Sequence, residues 1–485
     1  MKRIIFSSVL FLLGITVYAQ NEADVLRYSS QYNLGTARFT GLGGAMGALG
    51  GDMSSIHVNP AGIGLYRFGD VSFTPALEVN LLKAELGENT MSLDKSVIAI
   101  NNAGFVLTNE TRDPYWKSIN FGVSYNRLNT FNDHLNISSV LPFSRSLMQD
   151  FADQANGWKP ADLSDFTTKL AYQGYVIDEV DTINHVYGGR VFQGDMKQVQ
   201  DAESSGRLGE TALTLGANYN DVLYIGASLN FQMPQYTSIT KTTETPLEPQ
   251  HTDLISYTYH EHLQTTGMGI NLRLGGIVKA GKYIRLGASV QTPTTFQLSD
   301  DYQTKLTSQL RDPSENYDLK SKLSVFEYRV RTPWRFMASM AGVLGKKAVV
   351  SVQYEFTDFA SARLKASKEF SSGADFSDTN DLIRTVFTSS NILRAGAEYR
   401  IIPEIYARAG FSYFSNPNKA NNFTSANLDR YQYSGGVGYR TATWSLDLSY
   451  QLARYQEIYK THYLGDIATL TDSRSSIIAT VSFRL

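Results

Sequence analysis

The stretch that decides the fold is Ser118-Ile119-Asn120-Phe121-Gly122-Val123-Ser124-Tyr125-Asn126, in which polar or small residues alternate strictly with apolar ones. Successive side chains of a β-strand point to opposite faces, so the apolar residues share one face and the polar residues share the other. The same alternation recurs in 283–291 and in 444–452. These patterns predict strands that each have one apolar and one polar face.

The connections between such strands alternate in length through the second half of the chain. Short turns are expected at 220–221, 281–282, 345–347, 401–403 and 441–442, and long polar loops such as 237–264 and 296–325 separate them. The strands are expected near 70–80, 97–108, 117–128, 209–219, 222–236, 265–280, 283–295, 326–344, 348–364, 390–400, 404–415, 429–440, 443–457 and 475–485. Outer-membrane barrels have short periplasmic turns and longer outer loops.

A sheet in lipid must pair all its backbone groups internally, so it has to close into a barrel. The apolar face then contacts lipid and the polar face lines the lumen. The sequence therefore predicts an all-β protein, a transmembrane antiparallel β-barrel of about 14 strands. A soluble barrel with its apolar face inside is the alternative.

Composition narrows the function classes. The 485 residues include no Cys, so the chain has no disulfides and no thiolate metal site. A net charge of −2 gives no reason to expect nucleic acid as a partner. Tyr (29) and Phe (25) far outnumber Trp (4), and Gly stands at 38, which favours β-structure with aromatic belts and a lumen of small residues.

The two ends of the chain predict its destination. Lys2 and Arg3 precede an apolar stretch over 4–17, and Ala19 supplies a small residue before a cleavage site, so 1–19 are expected to be a signal peptide. The last strand alternates to Phe483 and Leu485, the kind of C-terminal strand that addresses barrel assembly machinery. We expect a Gram-negative outer membrane, with its lipid and that machinery as partners.

Residues 20–69 do not alternate and are predicted to be an N-terminal hatch or plug inside a barrel formed by 70–485. Gly43, Gly47 and Gly51 recur every four residues, which permits close backbone packing. The stretch then runs through Ser54-Ser55-Ile56 to Asn59-Pro60-Ala61-Gly62, which by itself is a turn signal.

This order of Gly/Ala-rich stretch, Asp52, Ser-Ser-Ile and Asn-Pro-Ala-Gly resembles the FadL/TodX family, in a Bacteroidetes-like form, over roughly residues 36–66. These are outer-membrane transporters of long-chain fatty acids and other hydrophobic compounds. Residues 331–336 and 354–359 also look like the family's middle strands. The single acid Asp52 and Val58, where an aromatic is usual, depart from the pattern. The resemblance implies 14 strands, an inner hatch, and a movable hatch motif of Asn59, Pro60, Ala61 and Gly62.

Two further groups are candidates for ligand binding. The insert at about 129–208 is expected to be extracellular and helical, with apolar spacing that forms either a capture groove or simple packing on the rim; its candidate residues are Leu147, Phe151, Leu163 and Phe166. Arg329, Arg331 and Arg335 are expected on one inward face of a single strand, where they hold a carboxylate head group or neutralise lumen acids.

The function expected from these observations is passive uptake of long-chain fatty acids or other hydrophobic small molecules, with no cofactor, no metal and no enzyme activity. No nucleophile motif such as Gly-x-Ser-x-Gly accompanies the seven His. Two alternatives remain open. One is a barrel that anchors or passes on secreted proteins. The other is a haem-binding receptor, for which His260 and His262 would share one face of a strand.

Overall fold

The computed structural model describes residues 22–86, 89–191, 193–248, 252–345, 347–367, 374–419 and 428–485. The expected signal peptide, 1–19, lies outside them. Fourteen antiparallel strands form a closed barrel. They are β1 (Asp70–Leu86), β2 (Asn89–Glu110), β3 (Trp116–Thr130, continued by Asp133–Pro142), β4 (Asp195–Tyr219), β5 (Leu223–Pro246), β6 (Leu254–Ala280), β7 (Ile284–Gln291 and Thr295–Leu310), β8 (Tyr317–Lys320, Ser324–Arg331 and Arg335–Leu344), β9 (Ala348–Asp358 and Arg363–Ala366), β10 (Ser389–Arg400), β11 (Ile405–Phe414), β12 (Arg430–Arg440), β13 (Trp444–Lys460) and β14 (Ile467–Arg484).

The first and last strands close the barrel. Asp70 of β1 lies opposite Val106 of β2 on one side and Arg484 of β14 on the other. The expected short turns are present, and in the turn between β4 and β5 Asn220 and Asp221 have φ of +53° and +56°. Positive φ at both central residues gives a turn whose twist matches that of paired strands. The barrel and its strand count are confirmed.

The apolar face of the sheet points outward. In β3, Ile119 is 49% exposed and Phe121 is 38% exposed, whereas Asn120 is fully buried. Equivalent exposed apolar residues ring the barrel and form an apolar belt. This arrangement is that of a transmembrane barrel and is the reverse of a soluble one. The helices among the described residues are all too short or too polar to span a bilayer.

The strands run much farther than expected on the side away from the short turns. The predictions of polar loops over 237–264 and 296–325 are wrong, because β5 reaches Pro246, β6 starts at Leu254 and β7 reaches Leu310. These stretches are rich in Thr and Tyr, which favour strands even when both faces meet water. We call this part of the wall the outer extension.

The insert at 129–208 is only partly helical. Asp133–Pro142 continues β3 and pairs with the first part of β4, so the prediction of a helical insert is wrong there. Helix α3 (Leu147–Ala155) lies where it was expected. Helix α4 covers only Thr168–Gln173, because Pro160–Asp162 forms a separate 3-10 turn and the Thr168 hydroxyl accepts from the Ser164 amide.

Three neighbouring strands are interrupted at one level. β7 breaks at 292–294, β8 at 332–334 and β9 at 359–362. Pro293 and Pro333 lack a backbone N–H and cannot donate to the ladder, so the continuous β8 expected over 326–344 does not form. Thr294 and Thr332 replace part of the ladder, since the Thr294 amide donates to the Thr332 hydroxyl at 2.8 Å.

Candidate functional site

Residues 22–69 lie inside the barrel, and we call them the inner segment. It contains α1 (Glu22–Ser29), α2 (Ala37–Gly41) and two 3-10 turns, Met53–His57 and Pro60–Leu65. Its second half contacts β2, β3, β4, β5 and β6, and α2 contacts β11, β12, β13 and β14. The segment therefore spans the lumen from wall to wall.

Asp52 organises the middle of the inner segment. Its carboxylate accepts from the Ser54 amide at 2.9 Å, which caps the first 3-10 turn, and from the Thr36 hydroxyl at 2.8 Å. Burial raises the pKa of Asp52 above its usual value, although the charge of Arg38 and these hydrogen bonds oppose the rise. One acid thus ties α2 to the turn that precedes Asn59.

Asn59 and Pro60 join the inner segment to the wall. The Asn59 amide nitrogen donates to the carbonyl of Gly47 at 2.7 Å and to that of Gly276, in β6, at 3.1 Å. Its side-chain oxygen accepts from the Ala61 amide, which caps the turn that Pro60 begins. The turn expected from Asn59, Pro60, Ala61 and Gly62 is therefore present, and it is bonded to a strand.

Glycines of the wall let the backbone of the inner segment lie directly on the strands. Gly226 of β5 and Gly275 of β6 face each other beneath Asn59 and Pro60. A Cβ at Gly226 would clash with the Pro60 carbonyl and lie 2.6 Å from the Ala61 nitrogen. Similar backbone approaches occur at Gly287, Gly396 and Gly410. The many glycines in the composition thus have a structural reason.

A buried charge network fixes His57, two residues before the turn. His57 Nδ1 lies 2.8 Å from a Glu210 oxygen, and Nε2 lies 3.1 Å from the Ser124 hydroxyl. Burial lowers the pKa of His57, which favours the neutral ring with Nδ1 donating to Glu210. Arg273 and Gln232 also donate to Glu210, so this carboxylate links three strands to the inner segment.

The other lumen charges are paired in the same way. Glu355 accepts from Arg335 at 2.6 Å and from Arg394 at 2.8 Å. Glu398 accepts from Arg38 and Arg408. With the His57–Glu210–Arg273 network these groups form what we call the polar collar. Arg335 is therefore inside the lumen as expected, but a wall carboxylate neutralises it.

Arg329 and Arg331 do not share the face of Arg335, and that prediction is wrong. Tyr328 and Val330 point inward and are fully buried, which puts the two arginines on the outer face. The break at 332–334 shifts the alternation by one residue, so inward positions are even-numbered before it and odd-numbered after it. Sequence spacing alone cannot reveal a shift of this kind.

The four apolar candidates of the insert lie above the barrel. Leu147, Phe151 and Leu163 are buried together, and Phe166 is half-buried with its ring 5.7 Å from that of Tyr302. Leu147, Phe151 and Leu163 belong to a buried apolar cluster that we call the cap cluster. Its other members include Met148, Leu170, Tyr187, Leu254, Tyr257, Tyr259, Leu306 and Leu310. The insert thus packs on the outer extension, as the second of the two interpretations expected.

A second apolar cluster lies inside the barrel between the cap cluster and the polar collar. We call it the outer apolar cluster. It combines residues of α1, of the barrel wall, of helix α5 (Ser377–Val386) and of the segment that follows α5. The members include Val25, Tyr28, Leu128, Leu208, Phe296, Tyr328, Val330, Leu364, Ile383 and Phe387. The sequence patterns did not predict this cluster. The alternating Phe296 and Leu298 in a stretch assigned to a loop were the available signal.

One acid sits among these apolar residues. Asp24 of α1 pairs with Arg27 and accepts from the Tyr328 hydroxyl at 3.0 Å. Burial raises the pKa of Asp24 to about 6, against the effect of Arg27. Among the described residues, the buried Tyr28 hydroxyl has no hydrogen-bond partner by geometry. The cluster therefore contains a few polar atoms at defined positions on an apolar background.

Cavities lie on either side of the Asn59-Pro60 turn. Above it, about 50 Å³ is enclosed by the polar collar, His57 and Tyr32. Below it, a cavity of about 280 Å³ is lined by Asp52, Tyr66 and Arg440 at the end of the barrel that carries the short turns. The inner segment is thus the division between the apolar half of the lumen and the opposite end.

The histidine pair lies far from this division. His260 and His262 are on the outer extension of β6 and share its outer face. Within the described ranges, His, Asp and Glu form no group of three that could hold a metal ion.

The chain has the fold of known outer-membrane channels. It superposes on a Pseudomonas aeruginosa FadL homologue with a TM-score of 0.58 at 14% identity, over 94% of this chain and 99% of that one. For the P. putida toluene transporter TodX the values are 0.53 and 11%, over 94% and 99%. For the Ralstonia pickettii toluene transporter TbuX they are 0.52 and 14%, over 95% and 100%. No protein-family model and no curated protein matches the sequence.

Proposed function

We propose that the protein is a passive channel for hydrophobic small molecules across the outer membrane, with long-chain fatty acids as the first candidates. The observation that carries the proposal is the outer apolar cluster, which lies inside a membrane barrel and includes α1, the first helix of the inner segment that spans the lumen. The related fold of the FadL homologue and of two toluene transporters supports it.

The cluster is built in a way that a ligand can exploit. Its wall residues, such as Phe296 and Val330, are fixed in strands, whereas α5 belongs to a connection and buries only Ile383. An alkyl chain that displaces α5 from the wall takes over the apolar contact of Ile383 and breaks the two hydrogen bonds between the Asn380 side chain and the Leu364 backbone. Each methylene group of the chain that becomes buried contributes about 0.8 kcal/mol to its binding. The adjacent Tyr28 hydroxyl and the Arg27 guanidinium, which pairs with Asp24, then provide donors for a carboxylate head group.

The inner segment acts as the hatch in this proposal. Cargo that reaches the polar collar can pass only if the Asn59-Pro60 turn leaves its seat on Gly226 and Gly275. Leu147, Phe151 and Leu163 are buried in the cap cluster, so in this proposal cargo reaches them and the neighbouring Phe166 only when the insert moves away from the outer extension. We assign Arg335 to neutralisation of Glu355 in the collar.

The test compares two substitutions in one strand. Val330→Asp introduces a carboxylate into the fully buried inner face, and Val325→Asp makes the same change at a site 61% exposed on the outer face. We expect Val330→Asp to reduce uptake of a labelled long-chain fatty acid at least about tenfold, because an unpaired charge among apolar groups is costly. Val325→Asp should behave as wild type.

Mass spectrometry of the detergent-extracted proteins identifies the ligand class. Wild type and Val325→Asp should retain a fatty acid or hydrocarbon that Val330→Asp lacks. Gel mobility before and after heating shows whether each barrel has folded. Equal uptake and equal copurified lipid in folded Val330→Asp and wild type would refute the proposal.

Pro60→Ala tests the hatch separately. Pro60 fixes φ at the first residue of its turn, and Ala frees that angle and restores an N–H. We expect uptake to fall several-fold at normal surface levels, since the strands do not depend on this turn. Pro313→Ala, the same change at the first residue of an exposed 3-10 turn (Pro313–Glu315) outside the inner segment, is the control. Unchanged uptake in Pro60→Ala would remove the turn from the mechanism.

A further inference from the structure

Four cationic side chains form a block on the outer face of β8 and β9. Arg329 lies directly opposite Lys365, and Arg331 lies directly opposite Arg363. All four positions alternate with the buried residues Val330 and Leu364, so their side chains point away from the lumen. We call them the cation block.

The protein compensates the charge of the block only in part: the charges of Asp358 and Asp381 act on Arg363. Like charges directly opposite each other destabilise a pair of strands. In the described part of the chain, none of the four forms an ion pair with a carboxylate, and Arg329 and Arg363 donate only to the backbone carbonyls of 360, 362 and 366. The acid that precedes Arg329 on the same face, Glu327, is bonded to Gln297 at 3.4 Å. An anion from outside the chain would remove the repulsion.

The block lies at the upper edge of the apolar belt. Trp334 and Phe336 are exposed and stacked, with ring centroids 6.3 Å apart, and mark the boundary where aromatic residues of barrels collect. The short turns are at the opposite end, so this edge faces the outside. The four cations come just beyond Trp334, at the height of lipid head groups.

A cleft is present at the same place. The interruptions of β7 and β8 open about 410 Å³ between Pro293, Trp334 and three members of the block, Arg329, Arg331 and Lys365. Guanidinium groups bind phosphate by paired hydrogen bonds, and the Trp334 ring offers an apolar wall for the adjoining acyl chain.

We propose that the cation block binds the phosphate groups of a phosphorylated lipid in the outer leaflet. The site is on the outside of the wall and is separate from the lumen, so the inference goes beyond the proposed transport function and does not depend on the cargo. In this proposal Arg329 and Arg331 bind the head group of a lipid in the surrounding membrane.

Native mass spectrometry of the full chain in detergent tests this binding. The probes are lipid A with two phosphates, the same lipid with one phosphate, and inorganic phosphate. The variant Arg329→Gln/Arg331→Gln/Lys365→Gln is compared with Arg112→Gln/Lys117→Gln/Lys279→Gln, which removes three cations at the short-turn end. Each basic residue near a membrane surface contributes about fivefold to affinity for an anionic lipid, so the first variant should bind the bisphosphorylated lipid roughly 100-fold more weakly.

The expected order is strongest binding for two phosphates, weaker for one, with no competition from inorganic phosphate at equal concentration. The control variant should match wild type. Equal affinity of wild type and the block variant, equal loss in the control, or full competition by inorganic phosphate would each overturn the proposal. Arg331→Gln/Lys365→Gln, which changes only exposed side chains, repeats the test in a barrel whose interior is untouched.

Discussion

Gly226→Ala is expected to unseat the Asn59-Pro60 turn and make the barrel leaky. The new Cβ would overlap the Pro60 carbonyl and lie 2.6 Å from the Ala61 nitrogen, and both atoms belong to backbone that cannot rotate away. Overpacking of this kind costs about 1–3 kcal/mol, so the seated state loses roughly 5- to 150-fold in population. The ladder of β5 is unaffected, because only an inward hydrogen is replaced.

The measurement is entry of a bulky dye that wild-type cells exclude, at matched surface levels. Gly276→Ala is the matched control: it lies beside Gly275, and its added Cβ would have only one neighbour, 3.9 Å away. We expect dye entry with Gly226→Ala and none with the control. Exclusion of the dye by all three proteins would show that the seat on Gly226 does not keep the lumen closed.

Glu210→Gln is expected to give the largest loss of stability. The substitution keeps the shape of the side chain but leaves the charge of Arg273, which is 2% exposed, without its counter-ion. Removing one partner of a buried ion pair costs about 3–5 kcal/mol. His57 loses its charged acceptor at the same time, so the joint between the inner segment and β4 weakens.

Thermal unfolding in detergent measures the whole barrel, and amide hydrogen exchange over residues 52–62 measures the joint. The double variant Glu210→Gln/Arg273→Gln removes both charges and should recover most of the lost stability. If the double variant is as unstable as the single one, the loss comes from packing or hydrogen bonding and not from the stranded charge.

Much of the barrel was predictable because its signal is local. The alternation in 118–126 sets which face of β3 is apolar, and the two-residue turn at Asn220 sets the register of β4 against β5. Because lipid lies outside the barrel and the lumen is polar, apolar side chains point outward and polar ones inward, the reverse of a soluble protein. The alternation along each strand is nevertheless just as regular. Strand count and closure follow from these local facts.

The outer extension and the site were harder to predict, for a different reason. Above the membrane both faces of a strand meet protein or water, so the alternation fades although the ladder continues, as in 237–246. The break at Pro333 changed the direction of Arg329 and Arg331 relative to Arg335, and no single-strand pattern encodes that. The outer apolar cluster unites α1, β7, β8 and α5, which are distant in sequence.

The outer extension also determines what the cell presents to its surroundings. From Gly267, near the belt, to Leu254 at the tip, β6 rises by roughly 35 Å at the usual strand tilt. A wall of that height holds the cap cluster well clear of the apolar belt. Exposed apolar residues of the insert, such as Val180 and Ile183, would therefore be among the first that a large molecule approaching from outside meets.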